Sequence, residues 1–294
     1  MRRFFRGAVA ASTALLALAA CEGPETVIAT PDTQFAGVRF INAVPDTSGA
    51  FGLDMRFVDI VESNAQYRMS FRNRPATGAG VTTAAATQYK AAEAGQRRFA
   101  VFLDDTLQSI ASVKLADTTV SLQSGSNYTA ILWGNARGTT PAMRLTFFPE
   151  AVPDPGAQVA LRVINATDAP IDVRQYVSGG TVPAAPTWAN VPPLSVSSYV
   201  LVAPSQIRYN VRAAGGTAPL FSDMLAIVGA AASSSLGAGG TLDIEPLPGT
   251  TVAGSAVSLI VFPRSVAGTR TPQTTAFQVP AGAFVWDKRP PRGF

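Results

Sequence analysis

Val38-Arg39-Phe40-Ile41-Asn42-Ala43 returns 123 positions later as Leu161-Arg162-Val163-Ile164-Asn165-Ala166. Both stretches are runs of β-branched and aromatic residues that close on Asn-Ala, the composition of a strand running into a turn. Downstream, Leu53-Asp54-Met55-Arg56 has a counterpart in Ile171-Asp172-Val173-Arg174, and Thr146-Phe147-Phe148-Pro149 one in Ile260-Val261-Phe262-Pro263. The offsets fall from 123 to 118 to 114, as two diverged copies with loop deletions in the second would give. A repeat this long is a whole domain and not a solenoid unit.

Working outward, Phe99–Leu103 and Tyr128–Trp133 are further short apolar runs, each bounded by Gly, Pro, Asn, Asp or Ser. Many short strands with turn signals every 8–12 residues predict an all-β sandwich or barrel. No stretch sustains a helical period, and Ala84–Gly95 has alanines for one helical turn at most. Residues 35–150 form the first expected domain, 151–157 a Pro-containing linker, 158–287 the second domain and 288–294 a basic tail. The uncharged stretch Met224–Leu242 is too rich in Gly, Ala and Ser for hydrocarbon and reads as a strand followed by a glycine-rich loop.

Residues 1–20 read as an export signal: Arg2, Arg3 and Arg6, then 14 uncharged residues from Gly7 to Ala20. As a helix that run rises only about 21 Å, short of the ~30 Å hydrocarbon core. Leu18-Ala19-Ala20 stands directly before Cys21, the sole cysteine. The pattern resembles the lipobox of bacterial lipoproteins, which implies cleavage before Cys21 and lipidation of its thiol. Residues 21–34, with Gly23, Pro24 and Pro31, then form a tether. The expected location is the bacterial cell envelope, with Glu22 favouring the outer membrane over the inner, and the expected partner is the membrane through Cys21.

The formal charge of +4 falls to +1 without Arg2, Arg3 and Arg6, and Lys288, Arg289 and Arg292 crowd the end of the chain. No basic stripe is left to neutralise phosphates, so nucleic acid is not an expected partner. With no histidine and its one cysteine committed to lipid, the chain offers neither Ser-His-Asp nor Cys-His catalysis, no zinc site of His or Cys, and no disulfide. Thirteen Asp and six Glu leave carboxylate-pair hydrolysis open, but no pair is singled out. No cofactor or metal is expected. Asp104, Asp105 and Asp117 are oxygen ligands without any calcium-loop spacing.

The repeat-position residues Arg39, Asn42, Asp54 and Arg56, with Arg162, Asn165, Asp172 and Arg174, are the candidate sites. Asn42 and Asn165 are expected to close their turns through side-chain bonds to their own backbone. Residues two apart share a strand face, so Asp54 and Arg56 should project together while Leu53, Met55 and Phe57 face the core. An exposed cross-strand pair Arg39–Asp54, repeated as Arg162–Asp172, is expected if those strands are neighbours. A pocket rimmed by Trp133, Trp188 or Trp286 would favour a glycan ligand.

The Arg-x-Ile-Asn-Ala opening and the following Asp-x-Arg strand resemble a bacterial extracytoplasmic family, domain-of-unknown-function family 4397. Asn42-Ala43-Val44-Pro45-Asp46 and Asn165-Ala166-Thr167-Asp168-Ala169-Pro170-Ile171-Asp172 match its opening in part, and Thr47–Gly52 is an insertion. The resemblance implies two tandem immunoglobulin-like antiparallel β-sandwich domains and no catalytic residues. The function expected is non-catalytic: structure, adhesion or ligand display on a lipid anchor, with envelope proteins or glycans as partners. A glycan- or solute-binding lipoprotein is the alternative, and an Asp/Glu hydrolase a distant third.

Overall fold

A computed structural model describes residues 34–47, 52–59, 68–73, 89–138, 140–237 and 240–291. The expected signal peptide, Cys21 and most of the tether lie outside the described residues. Gln34–Phe294 forms one compact unit.

The first half contributes β1 (Phe35–Asn42), β2 (Gly52–Phe57), β3 (Arg68–Met69), β4 (Lys90–Glu93), β5 (Gly95–Asp104), β6 (Lys114–Leu122), β7 (Asn127–Trp133) and β8 (Arg144–Pro149). Its two sheets have the orders β4-β1-β7-β8 and β3-β2-β5-β6. A single helical turn, α1 (Gln108–Ala111), joins β5 to β6.

The second half contributes β9 (Val159–Asn165), β10 (Ile171–Val177), β11 (Trp188–Val191), β12 (Ser195–Val196), β13 (Val200–Val202), β14 (Ile207–Ala213) and β15 (Met224–Leu225). After these come β16 (Ser233–Gly237), β17 (Gly240–Ile244), β18 (Ala256–Phe262) and β19 (Ala281–Lys288). One sheet runs β12-β9-β18-β19, with β13 also on β9, and the other β11-β10-β14-β15. Strand for strand the order of the first half is repeated. The all-β sandwich reading holds, and the pairing is mostly antiparallel.

Two details depart from expectation. First, β1 pairs in parallel with β7, and β9 with β18. The chain leaves β1 for the opposite sheet, so the strand that flanks it returns from far along the sequence. Second, Ile260–Phe262 belongs to β18, the counterpart of β7, whereas Thr146–Pro149 belongs to β8. Those two segments are therefore not equivalents. In the ladders Arg39 lies opposite Thr129 and Arg162 opposite Ser258, which places the true offset there at 129. The second half is the longer one at this point, with the hairpin β16–β17 inserted before β18. That hairpin occupies part of the segment expected to be a glycine-rich loop. Lys90–Glu93 is strand, not helix, and residues 84–88 lie outside the described residues.

The first core packs Val38, Phe40, Leu53, Met55, Phe57, Phe99 and Leu132 between its two sheets. Phe99 is its hub, with ring centroids 5.0 Å from Phe40, 5.2 Å from Phe57 and 5.1 Å from Phe147. The second core packs Leu161, Val163, Ile171, Val173, Tyr209, Val211 and Leu259 in the same way. A third core joins the halves: Ile41, Ile131 and Trp133 from the first meet Ile164, Leu194, Ile260, Phe262 and Val285 from the second. The central sheets thus bury both faces, which is why β7 and β18 read as nearly unbroken apolar runs.

Candidate functional site: a buried ionic brace and a separate open cleft

On β1, Val38 and Phe40 point into the first core, so Arg39 must project from the opposite face, where the second half packs. Arg162 on β9 is placed likewise. Burying two guanidinium groups between sheets requires partners of opposite charge, and two carboxylates supply them. The side chains of Glu150, just past β8, and of Asp287, on β19, have no exposed surface.

Arg39 donates through Nη2 to Asp287 Oδ1 at 2.5 Å and to Glu150 Oε1 at 3.1 Å. Arg162 donates through Nη2 to Glu150 Oε2 at 2.5 Å and to Asp287 Oδ1 at 3.3 Å. Each arginine therefore holds its own half's carboxylate and that of the other half. The hydroxyls repeat as well. Arg39 Nε donates to Thr129 Oγ1 and Arg162 Nε to Ser258 Oγ, both at 2.7 Å. Thr129 donates onward to Glu150, and Ser258 to Asp287 Oδ2 at 2.5 Å. Each guanidinium also lies over a tyrosine ring, Arg39 on Tyr89 and Arg162 on Tyr199, at 4.7 Å to the centroid in both. Tyr199 completes the set by donating to Asp287 Oδ2 at 2.9 Å.

Burial alone would raise the Asp287 carboxyl, but Arg39, Arg162 and the Ser258 hydroxyl outweigh it and hold the group below the usual carboxylate range. Burial, with Asp287 next to it, pushes the Tyr199 phenol well above its ordinary value. An ionised carboxylate saturated by four donors is a structural counter-ion, and the chemistry here is cohesion between halves.

A second latch lies at the far end of the interface. Arg72, with φ of 60°, donates through Nη2 to the carbonyls of Val279 at 2.6 Å and Pro263 at 2.7 Å. Pro45 O accepts from Val266 N and from Thr271 Oγ1, both at 2.8 Å.

The expected Arg39–Asp54 and Arg162–Asp172 pairs do not form. Strands β1 and β2 lie in opposite sheets, as do β9 and β10, so these side chains project from different layers. Asp54 instead faces Arg56 on its own strand at 3.5 Å, the side-by-side projection expected of residues two apart. Asp172 accepts from the backbone N–H groups of Asn190 at 2.8 Å and Gly215 at 3.0 Å, which lower its carboxyl. Arg174 is 6% exposed; among the described residues its one hydrogen-bond partner is the Ala184 carbonyl, at 3.3 Å, and its charge also helps to lower the Asp172 carboxyl.

Asn42 and Asn165 close their turns as expected. Asn42 Oδ1 accepts from Val44 N at 3.1 Å and Asn165 Oδ1 from Thr167 N at 3.0 Å. Asn165 also donates through Nδ2 to the carbonyls of Ala169, Val191 and Pro192. Asp117 is gripped by Arg98 at 2.6 Å and Lys114 at 2.5 Å, and Asp105 Oδ1 accepts from Leu107 N. Among the described residues no three of Asp, Glu, His and Cys are grouped to hold a metal ion.

Trp133 and Trp188 are buried in the third and second cores, so neither rims a pocket. A cleft of about 380 Å³ does open where the loops after β1 and β9 meet. Pro45, Asn135 and Pro141 line it from the first half, and Thr167, Asp168, Leu220 and Arg264 from the second.

Glu150 and Asp287 are the members of the brace that the repeat did not reveal. Their signal was register: each stands two positions beyond the residue opposite the hydroxyl, Phe148 against Thr129 and Val285 against Ser258. No curated protein matches the chain. Residues 36–176 match the family described as Domain of unknown function (DUF4397), a stretch that takes in the whole first sandwich and the β9–β10 opening of the second and supports that family for this chain.

Proposed function

We propose that the chain is an exported lipoprotein whose two halves are diverged copies of the same family domain, fused into one non-catalytic binding or display body on the cell envelope. Lipid on Cys21 anchors it, and residues 21–34 tether the body to the membrane surface. The observation that carries the reading is the paired brace. Arg39, Thr129 and Glu150 in one half match Arg162, Ser258 and Asp287 in the other, and each arginine contacts both carboxylates. This arrangement devotes four charged side chains with little or no exposed surface to rigidity, which suits a presenting scaffold. A solute-binding role is the second reading, favoured by the cleft between the Asn42 and Asn165 loops.

Mass spectrometry of the N-terminal peptide from the protein expressed in a bacterial host tests the anchor. Acyl-modified Cys21 in the membrane fraction, lost in Cys21→Ala, is the expected result. An unmodified thiol on an uncleaved chain overturns it. Crosslinking and pull-down from envelope extract, alongside a glycan screen, then identifies what the body presents or binds.

A further inference from the structure

The outer face of the β10–β14 pair carries three arginines against two carboxylates, a surplus of positive charge even with Asp172 acting electrostatically on Arg174. The ladder sets Asp172 opposite Arg212, Arg174 opposite Asn210 and Tyr176 opposite Arg208, all on the face turned away from the Val173–Tyr209–Val211 core. Both nearby carboxylates are occupied by other donors. Asp172 takes two backbone N–H groups, and Asp223 takes Tyr176 OH at 2.5 Å and Asn210 Nδ2 at 2.6 Å.

Among the described residues, neither Arg174, Arg208 nor Arg212 has a carboxylate oxygen within 4 Å. Arg174 is the extreme case. It is 6% exposed, its Nε and Nη2 share one carbonyl at 3.3 Å, and its buried Nη1 has no partner. The matching face of the first half is different: Arg56 sits with Asp54, and Arg98 with Asp117. A desolvated guanidinium with a vacant donor is costly unless an anion answers it, and its planar fork suits a tetrahedral oxyanion.

We propose that this face is an oxyanion site, taking a phosphate or sulfate group with Arg174 as the buried donor and Arg212 and Arg208 as flanking cations. The group is carried by a soluble ligand or by a lipid headgroup, and the site holds whether or not Cys21 is lipidated.

The test is a phosphorus NMR titration of inorganic phosphate against the full-length chain, with vesicle flotation as a second arm. Saturable binding is expected, weakened about tenfold in Arg174→Met and in Arg212→Gln and unchanged in Arg56→Gln. Arg212→Gln alters a half-buried side chain outside the core, so it decides the matter should Arg174→Met not fold. Vesicles of phosphatidylcholine with phosphatidic acid, compared with phosphatidylcholine alone, identify the source. Binding of inorganic phosphate assigns a soluble oxyanion, and flotation only with phosphatidic acid assigns a headgroup. Both support the site when Arg212→Gln weakens them about tenfold. Absence of binding in both arms overturns it, as does binding that Arg212→Gln leaves intact.

Discussion

Replacing Asp287 with asparagine removes one of four buried charges while keeping the side chain's shape. The wild-type set, Arg39 and Arg162 against Glu150 and Asp287, is neutral. The variant leaves a net positive charge between the central sheets, among side chains no more than 6% exposed. It also points an amide N–H₂ toward donors, since Asp287 accepts from Arg39, Arg162, Ser258 and Tyr199. Breaking a buried pair by removing one partner costs about 3–5 kcal/mol. For a body of this size each kcal/mol moves Tm by about 2–4 °C, so the melting point should fall by roughly 6–20 °C. Urea titration at neutral pH reads the loss directly, through a lower midpoint at unchanged slope. The double variant Arg39→Met with Asp287→Leu leaves Arg162 facing Glu150 in balance. It should be more stable than Asp287→Leu alone, which shows as a favourable coupling energy in the double-mutant cycle. A loss below about 1 kcal/mol in Asp287→Asn, or additive effects in the cycle, would refute the brace as an electrostatic unit.

Further outcomes follow from the same structure. Asn165→Ala strips three carbonyls and Thr167 of their partner at a wholly buried site and should cost about 2–4 kcal/mol by urea titration; a loss within experimental noise would contradict the role assigned to the turn. The folded-state carboxyls of Asp287 and Asp172 are depressed, so their stabilisation is complete above the ordinary carboxylate value of about 3.9 and drains away as pH falls through the lower native values. With no histidine in the chain, the unfolding free energy should be flat to about 1 kcal/mol between pH 5 and 8, and a marked slope in that window would count against the assignment. Burial raises the phenols of Tyr89, Tyr199 and Tyr209, so near pH 11 all three should stay protonated in the folded protein and ionise once guanidinium unfolds it, as seen by ultraviolet difference absorbance. Native-state ionisation of the full tyrosine complement at that pH would be the contrary result.

Much of the architecture was legible because strands announce themselves by alternation. Leu53, Met55 and Phe57 point inward and Arg56 outward, as the period of two requires. The Asn42 and Asn165 turns followed from what an Asn side chain does beside its own backbone. The sheet assignment was not legible, since nothing local says that β1 and β2 part to opposite layers, and the Arg39–Asp54 pairing failed on that point alone. The interface was hidden for a related reason. Alternation cannot mark an inner face on β7 or β18, where both faces are buried, so Ile131 and Ile260 look like ordinary core residues. The one visible clue was the arginine kept at the same place in both openings. Within each half its carboxylate partner sits 111 or 125 residues away along the chain, beyond the reach of any local pattern.

The central claim is that the two sandwiches are one cooperative body, closed by the third core and the four buried charges. Differential scanning calorimetry of the full chain tests this most directly. The account predicts a single transition whose calorimetric and van't Hoff enthalpies agree. Two resolved transitions, with Asp287→Asn shifting only one of them, would contradict it.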